Sequence, residues 1–120
     1  MSYRMACDHA DEVAAVVSIA GATFDVAGDC VPVRSVSTLE IHGTSDTVIQ
    51  YGGGALPGAD GPYPGATETA ASWAAYNGCE SWSVALDPFD GLDGLPGDET
   101  GVERYASGCS GAVTELWTVN

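Results

Sequence analysis

The segment His42-Gly43-Thr44-Ser45-Asp46 gathers the residue types of a proton relay at one place in the chain. A strand read over 36–42 ends at His42, Gly43 permits a tight turn, and Asp46 falls in the loop just beyond. In an open α/β sheet, the edge beyond the carboxyl ends of the strands is where sites are built. A carboxylate there can orient a histidine and stabilise its charged form during general-base catalysis, the task of the third member of a catalytic triad. The same residue type also closes loops, by accepting hydrogen bonds from its own backbone. A local Ser45–His42–Asp46 set would require three side chains of one strand and turn to converge, which is poor geometry. His42 therefore reads as structural, its ring bonded to loop backbone or to a neighbouring acid. His9 reads as solvated at a polar helix end. Neither is a convincing base, and no G-x-S-x-G elbow supplies a nucleophile. On its residues alone Asp46 stays open between the two readings, turn former and triad acid.

The four cysteines, Cys7, Cys30, Cys79 and Cys109, allow three complete pairings, and no two stand close enough for a zinc site. Sequential pairing is the simplest, and the chain-entropy view gives each such loop about 3–4 kcal/mol. Four buried free thiols remain the alternative at this point. Asp87, Asp90, Asp93 and Asp98 invite a calcium reading, but the EF-hand pattern of flanking helices and terminal glutamate is not met. A solvated loop of Asx turns accounts for them better, so no metal and no cofactor is expected.

The elements that must position these residues follow from pattern. Residues 2–7 read as a helix without a capping signal, closed by Asp8-His9-Ala10-Asp11. Residues 13–19 form an apolar run of the kind covered by helices on both faces. Residues 23–32 read as loop with room for one turn of helix near Asp25, which leaves little for a crossover between parallel strands. The stretch 51–65 (YGGGALPGADGPYPG) reads as loop with no regular structure. A helix follows from Thr67, favoured by Ala70, Ala71, Ala74 and Ala75 and closed by Asn77-Gly78, with Trp73 anchoring it to the sheet. Residues 87–101 read as a second punctuated loop. The alternation in 101–105 and 111–119 predicts a hairpin around Ser107-Gly108-Cys109-Ser110-Gly111.

A chain of 120 residues holds one domain, and its hydrophobic content of 45% excludes wholesale disorder. Seventeen acids against three bases give a formal net charge of −14. Such a surface repels phosphate backbones, so nucleic acid is excluded as a partner. It reads as a solubility device, of which one version is life in high salt, where screening weakens self-repulsion. No apolar run approaches the roughly 18 residues of a membrane span, and the N-terminal residues do not resemble a signal peptide. Targeting for export is thus expected to lie outside the residues present.

Four stretches resemble the secreted polyhydroxyalkanoate-depolymerase and feruloyl-esterase-like serine esterases of carbohydrate esterase family 1, which have the α/β-hydrolase fold. Residues 1–17, with Cys7-Asp8-His9-Ala10-Asp11, resemble the helix after the nucleophile and the next strand. Residues 32–51 (PVRSVSTLEIHGTSDTVIQY) resemble the strand and loop carrying the triad acid, and this is the most specific likeness. Residues 71–79 resemble the Trp-Ala-x-x-Asn-Gly-Cys helix end, and 105–119 the hairpin leading toward the catalytic histidine.

The resemblance implies a partial α/β-hydrolase domain over 1–120, of about three core strands, a short hairpin strand and two helices. Loops 51–66 and 87–101 would be variable insertions. It implies that Asp46 is the triad acid, with the serine before Met1 and the histidine after Asn120. Ser2 then falls on the helix after the elbow. It also implies a Cys79–Cys109 disulfide and makes Cys7–Cys30 its companion. The expected partner is an ester substrate, polymeric or polysaccharide-linked, in an extracellular setting. The competing expectation is a non-catalytic acidic module in which Trp82 and Tyr63 contact a polymer or protein.

Overall fold

The computed structural model describes residues 1–58 and 61–120. In chain order these form helix α1 (Ser2–Asp8), strand β1 (Ala15–Ile19), a 3₁₀ turn (Ala27–Asp29) and strand β2 (Ser37–Gly43). A ribbon of two short strands, β3 (Gly54–Ala55) and β4 (Pro62–Tyr63), precedes helix α2 (Ala66–Tyr76). Strands β5 (Val84–Phe89), β6 (Thr100–Tyr105) and β7 (Thr114–Val119) complete the order. The architecture is mixed α/β: a sheet ordered β1-β2-β7-β6-β5 with two helices against it.

β2 lies between β1 and β7 and is parallel to both, with Ile41 opposite Ile19 on one side and Trp117 on the other. β6 and β5 extend the sheet in antiparallel fashion, so the hairpin read from the alternation is present as β6–β7. The β1–β2 connection carries only the 3₁₀ turn, yet it joins parallel neighbours. It is held from outside: Cys30 is bonded to Cys7 of α1, and Thr23 accepts the indole N–H of Trp73 at 2.9 Å. Cross-links supply what a crossover helix would.

The core lies between the helices and one face of the sheet. Tyr3, Ala6, Cys7, Ala10, Cys30, Val36 and Trp73 form one buried cluster. Trp73 thus anchors α2 by stacking on Tyr3 of α1, with ring centroids 5.5 Å apart. A second cluster joins Ala66, Ala70 and Ala74 of α2 to Tyr105 and Leu116 of the sheet. Alanine on the inner side of α2 lets helix and sheet approach closely while keeping helix propensity high.

α2 begins where the Glu68 carboxylate accepts the Gly65 N–H at 3.0 Å. It ends at Gly78, φ 69°, where Gly78 N–H bonds the Ala75 carbonyl and Cys79 N–H the Ala74 carbonyl. That pair of bonds is a Schellman stop. Beside it, the fully buried Asn77 pairs with Val36 in both directions: its Oδ1 accepts the Val36 N–H (3.0 Å) and its amide donates to the Val36 carbonyl (2.9 Å).

Three expectations need correction. Residues 87–89, expected as loop, belong to β5; the Asp87-Pro88 step sits at an irregularity in an edge strand, where a missing N–H costs the ladder nothing. Residues 51–65 are not wholly irregular, because β3 and β4 pair with Tyr63 opposite Gly54. Residues 59–60 of that stretch lie outside the described residues. Finally, β1 is not covered on both faces. Val17 and Ile19 remain 53% and 73% exposed, since α1 and α2 lie on the side of Val16 and Ser18.

Candidate functional site

The polarity of β2 is inverted relative to a simple reading of its alternation. Thr38, Glu40 and His42 face the helices and are buried, whereas Leu39 and Ile41 point to the opposite, half-open face. Thr38 is satisfied by Thr114, hydroxyl to hydroxyl at 3.0 Å. Glu40, 1% exposed, accepts the Tyr3 hydroxyl on Oε2 (2.5 Å) and the Gly21 N–H on Oε1 (2.9 Å). Burial first, and then the charge of and hydrogen bond to Glu40, push the Tyr3 phenol above its ordinary range. Tyr3 therefore keeps its proton and donates it to the carboxylate.

His42, also 1% exposed, donates from Nε2 to the Ile49 carbonyl at 2.8 Å, while its Nδ1 lies 3.2 Å from Glu40 Oε1. The Nδ1 contact is off the hydrogen-bonding direction, so it acts as a charge contact at most. Tyr51 closes the ring from its edge, with centroids 5.6 Å apart, and its own hydroxyl meets Thr118.

The loop beyond β2 is built on these residues. Thr44 N–H bonds the Val119 carbonyl (2.8 Å) and Asp46 N–H the Gly43 carbonyl (3.2 Å), which turns the chain immediately past the strand. Asp46 Oδ1 accepts the N–H groups of Val48 (2.8 Å) and Ile49 (3.1 Å). Its Oδ2 makes no hydrogen bond within the chain's loop, lies 3.7 Å from His42 Nε2, and belongs to a side chain 21% exposed. Turn former and candidate acid are thus the same residue, acting through different oxygens. A carboxylate anchored by one oxygen and open at the other can receive an N–H from an imidazole, which is what orienting a general base requires.

The other sequence candidates fall elsewhere. His9 is the C-cap of α1, half-exposed, with Nδ1 3.9 Å from Glu12. Ser2 spends its hydroxyl on the Val17 carbonyl at 2.8 Å, and Ser45 is exposed. Tyr63 accepts the Gln50 N–H at 3.0 Å and so braces the Asp46 loop, while Trp82 is 49% exposed with its N–H on Glu80. The disulfides join Cys7 to Cys30 and Cys79 to Cys109; all four cysteines are paired.

In the acidic stretch, no group of three or more potential metal ligands comes together among the described residues. Glu99, unremarked in the sequence, organises this loop instead. It turns inward and accepts the Thr100 hydroxyl (2.8 Å) and Gly91 N–H (2.9 Å) on Oε1. The Thr100 hydrogen bond is the main reason its carboxyl sits below the usual range, against an opposing effect of desolvation.

Beyond the sheet's open face lies an apolar cleft of about 440 Å³, bounded by Ile19, Ile41, Phe89, Leu92, Trp117 and Val119. No helix among the described residues is long and apolar enough to cross a membrane.

No protein-family profile matches the chain. Over 88 residues, 66% of this chain, it is 35% identical to feruloyl esterase B of Piromyces equi. The match covers 16% of that relative, so the chain spans only a small part of its length. The resemblance is partial and amounts to a distant relationship with an esterase.

Proposed function

We propose that this chain is the acid-bearing part of a serine esterase of the α/β-hydrolase type, related to the feruloyl-esterase-like enzymes. In this reading Asp46 orients and charges the histidine of a triad whose serine and histidine are contributed by other polypeptide. The observation that carries it is the split use of the Asp46 carboxylate: Oδ1 is locked by two backbone N–H groups beyond the end of a central parallel strand, and Oδ2 stays open. The partial identity with an esterase supports the same reading.

The reaction is hydrolysis of a carboxylic ester through an acyl-serine. The histidine takes the serine proton as the hydroxyl attacks the carbonyl, then returns it to the leaving alcohol; water repeats the cycle on the acyl group. Asp46 would remain ionised throughout and favour the imidazolium formed at each step. The substrate class is an ester of a hydroxyalkanoate polymer or a feruloyl or acetyl ester of a polysaccharide, met outside the cell.

Two measurements test the proposal. The 120-residue chain by itself is expected to leave p-nitrophenyl esters unhydrolysed. In an intact polypeptide that includes an upstream Gly-x-Ser-x-Gly, Asp46→Asn is expected to lower kcat by about 10⁴, the effect of misorienting a triad histidine. Hydrolysis by the chain alone that Asp46→Asn abolishes, or an unchanged kcat in the intact variant, overturns it.

A further inference from the structure

The sheet has a second face, opposite α1 and α2, to which the esterase reading assigns no task. Strand register arranges its side chains in rows. One row runs Ile19–Ile41–Trp117–Val102–Leu86 and is apolar across all five strands. The row beside it runs Val17–Leu39–Glu115–Arg104–Val84. Val17, Ile19, Val84 and Leu86 are exposed, and the apolar cleft beside Trp117 opens on the same side. Parallel strands are normally covered on both faces, and an apolar patch of this breadth marks a surface that meets another. Within these two rows the charged side chains are Arg104 and Glu115, which bond each other. The rows therefore carry no net charge.

That neutrality selects the occupant, because the whole chain has a formal net charge of −14. A basic partner would be drawn to the acids elsewhere, and an anionic membrane would be repelled by them. A second copy fits better: about a two-fold axis, a face bearing one cation and one anion is complementary to itself. Five strands about 4.8 Å apart, each about six residues long, give a footprint of about 500 Å² per copy. Two such footprints reach about 1,000 Å², the lower bound of a specific interface, so the association is reversible. Sheets packed face to face lie about 10 Å apart, within reach of the repulsion between two acidic copies at 0.1 M salt. We propose that this open face is a salt-dependent dimerisation surface, on which a second copy of the chain packs over the row centred on Trp117. The proposal goes beyond the esterase reading and does not depend on it.

Sedimentation equilibrium of the 120-residue chain, from about 1 to 200 μM in 0.1 M and 1 M NaCl, tests it. The mass is expected to rise from monomer to dimer and stop there. The midpoint concentration is expected to be at least tenfold lower in 1 M salt, where screening shortens to about 3 Å. Ile19→Asp puts an unpaired acid on the face at a position 73% exposed, where the fold has little to lose. It is expected to raise the midpoint at least tenfold. Val33→Asp, 76% exposed in the loop before β2, adds the same charge off the sheet and is expected to move the midpoint less than twofold. A monomer under all conditions overturns the proposal. If that monomer binds an apolar dye and Ile19→Asp weakens the binding, the face belongs to another partner. Growth beyond the dimer, or equal shifts from the two variants, overturns it as well.

Discussion

Two acidic loops meet at the same edge of the sheet, and they are built in opposite ways. The loop after β2 contains one acid, Asp46, whose carboxylate takes two of the loop's N–H groups while the histidine behind it takes the Ile49 carbonyl. The loop between β5 and β6 contains Asp90, Asp93 and Asp98 exposed to solvent, with Glu99 alone turned inward to tie Gly91 and Thr100. Both sit beyond the carboxyl end of β7, since Val119 is opposite Gly43 on one side and Thr100 on the other. The two loops thus differ in how their carboxylates are held: Asp46 is fixed by backbone N–H groups beside a buried histidine, whereas Asp90, Asp93 and Asp98 stand in solvent.

The largest break in that contrast is kinetic. Asp46→Asn should cost an intact enzyme about 10⁴ in kcat, whereas Asp93→Asn should leave kcat unchanged and shift stability by no more than about 0.5 kcal/mol. Next in size is Glu40→Ala. It strands the Tyr3 hydroxyl and the Gly21 N–H in a buried site, and a urea titration should show a loss of about 2–5 kcal/mol.

Tyr3→Phe sharpens the same point through pH. The folded phenol is pushed above its unfolded value, so its stabilisation is complete below about pH 10 and is lost as pH rises beyond that. Melting temperature should fall between pH 9 and 11 in the wild type and fall less in Tyr3→Phe. Some slope should persist because burial, and then Asp29, push Tyr76 in the same direction. At neutral pH the variant should lose about 1.5–3 kcal/mol, the worth of a hydrogen bond to a charged group.

The smallest effect belongs to the other loop. Glu99 has a depressed folded value, so its contribution is complete above about pH 4.3 and disappears as pH falls through the folded value. Urea midpoints at pH 7 and pH 3 should therefore differ less in Glu99→Gln than in the wild type. An equal difference would remove Glu99 from the account of its loop.

Much of the fold could be read from residue order because β-branched runs, the alanine-rich helix and the Asn77-Gly78 stop each report local geometry. β5 was hidden because Asp87-Pro88 signals a turn wherever it stands, and only pairing with β6 overrides it. β2 was legible as a β-branched run ending at His42, but not which of its faces would be inside. Thr38, Glu40 and His42 look like a solvent face until Tyr3, Thr114 and the Ile49 carbonyl arrive to satisfy them. Those partners come from distant parts of the chain, so spacing within β2 carries no trace of them. As a candidate, Asp46 could be picked out through the resemblance and its place after a strand. That its two oxygens meet different surroundings follows only from the folded loop.

The segment from Asn77 to Ser110 leaves and returns through a narrow neck. The Cys79–Cys109 bond, the Glu80 N–H on the Ser107 carbonyl and the Ser110 N–H on the Asn77 carbonyl draw its two ends together. Like a bag tied at the mouth, it keeps the base of the β5–β6 hairpin beside the end of α2 whatever the length of its far tip. Doubling the length of the tip would add only about 0.6 kcal/mol of closure entropy. A lineage could lengthen, shorten or recharge that tip while the strand beside Asp46 stayed in register.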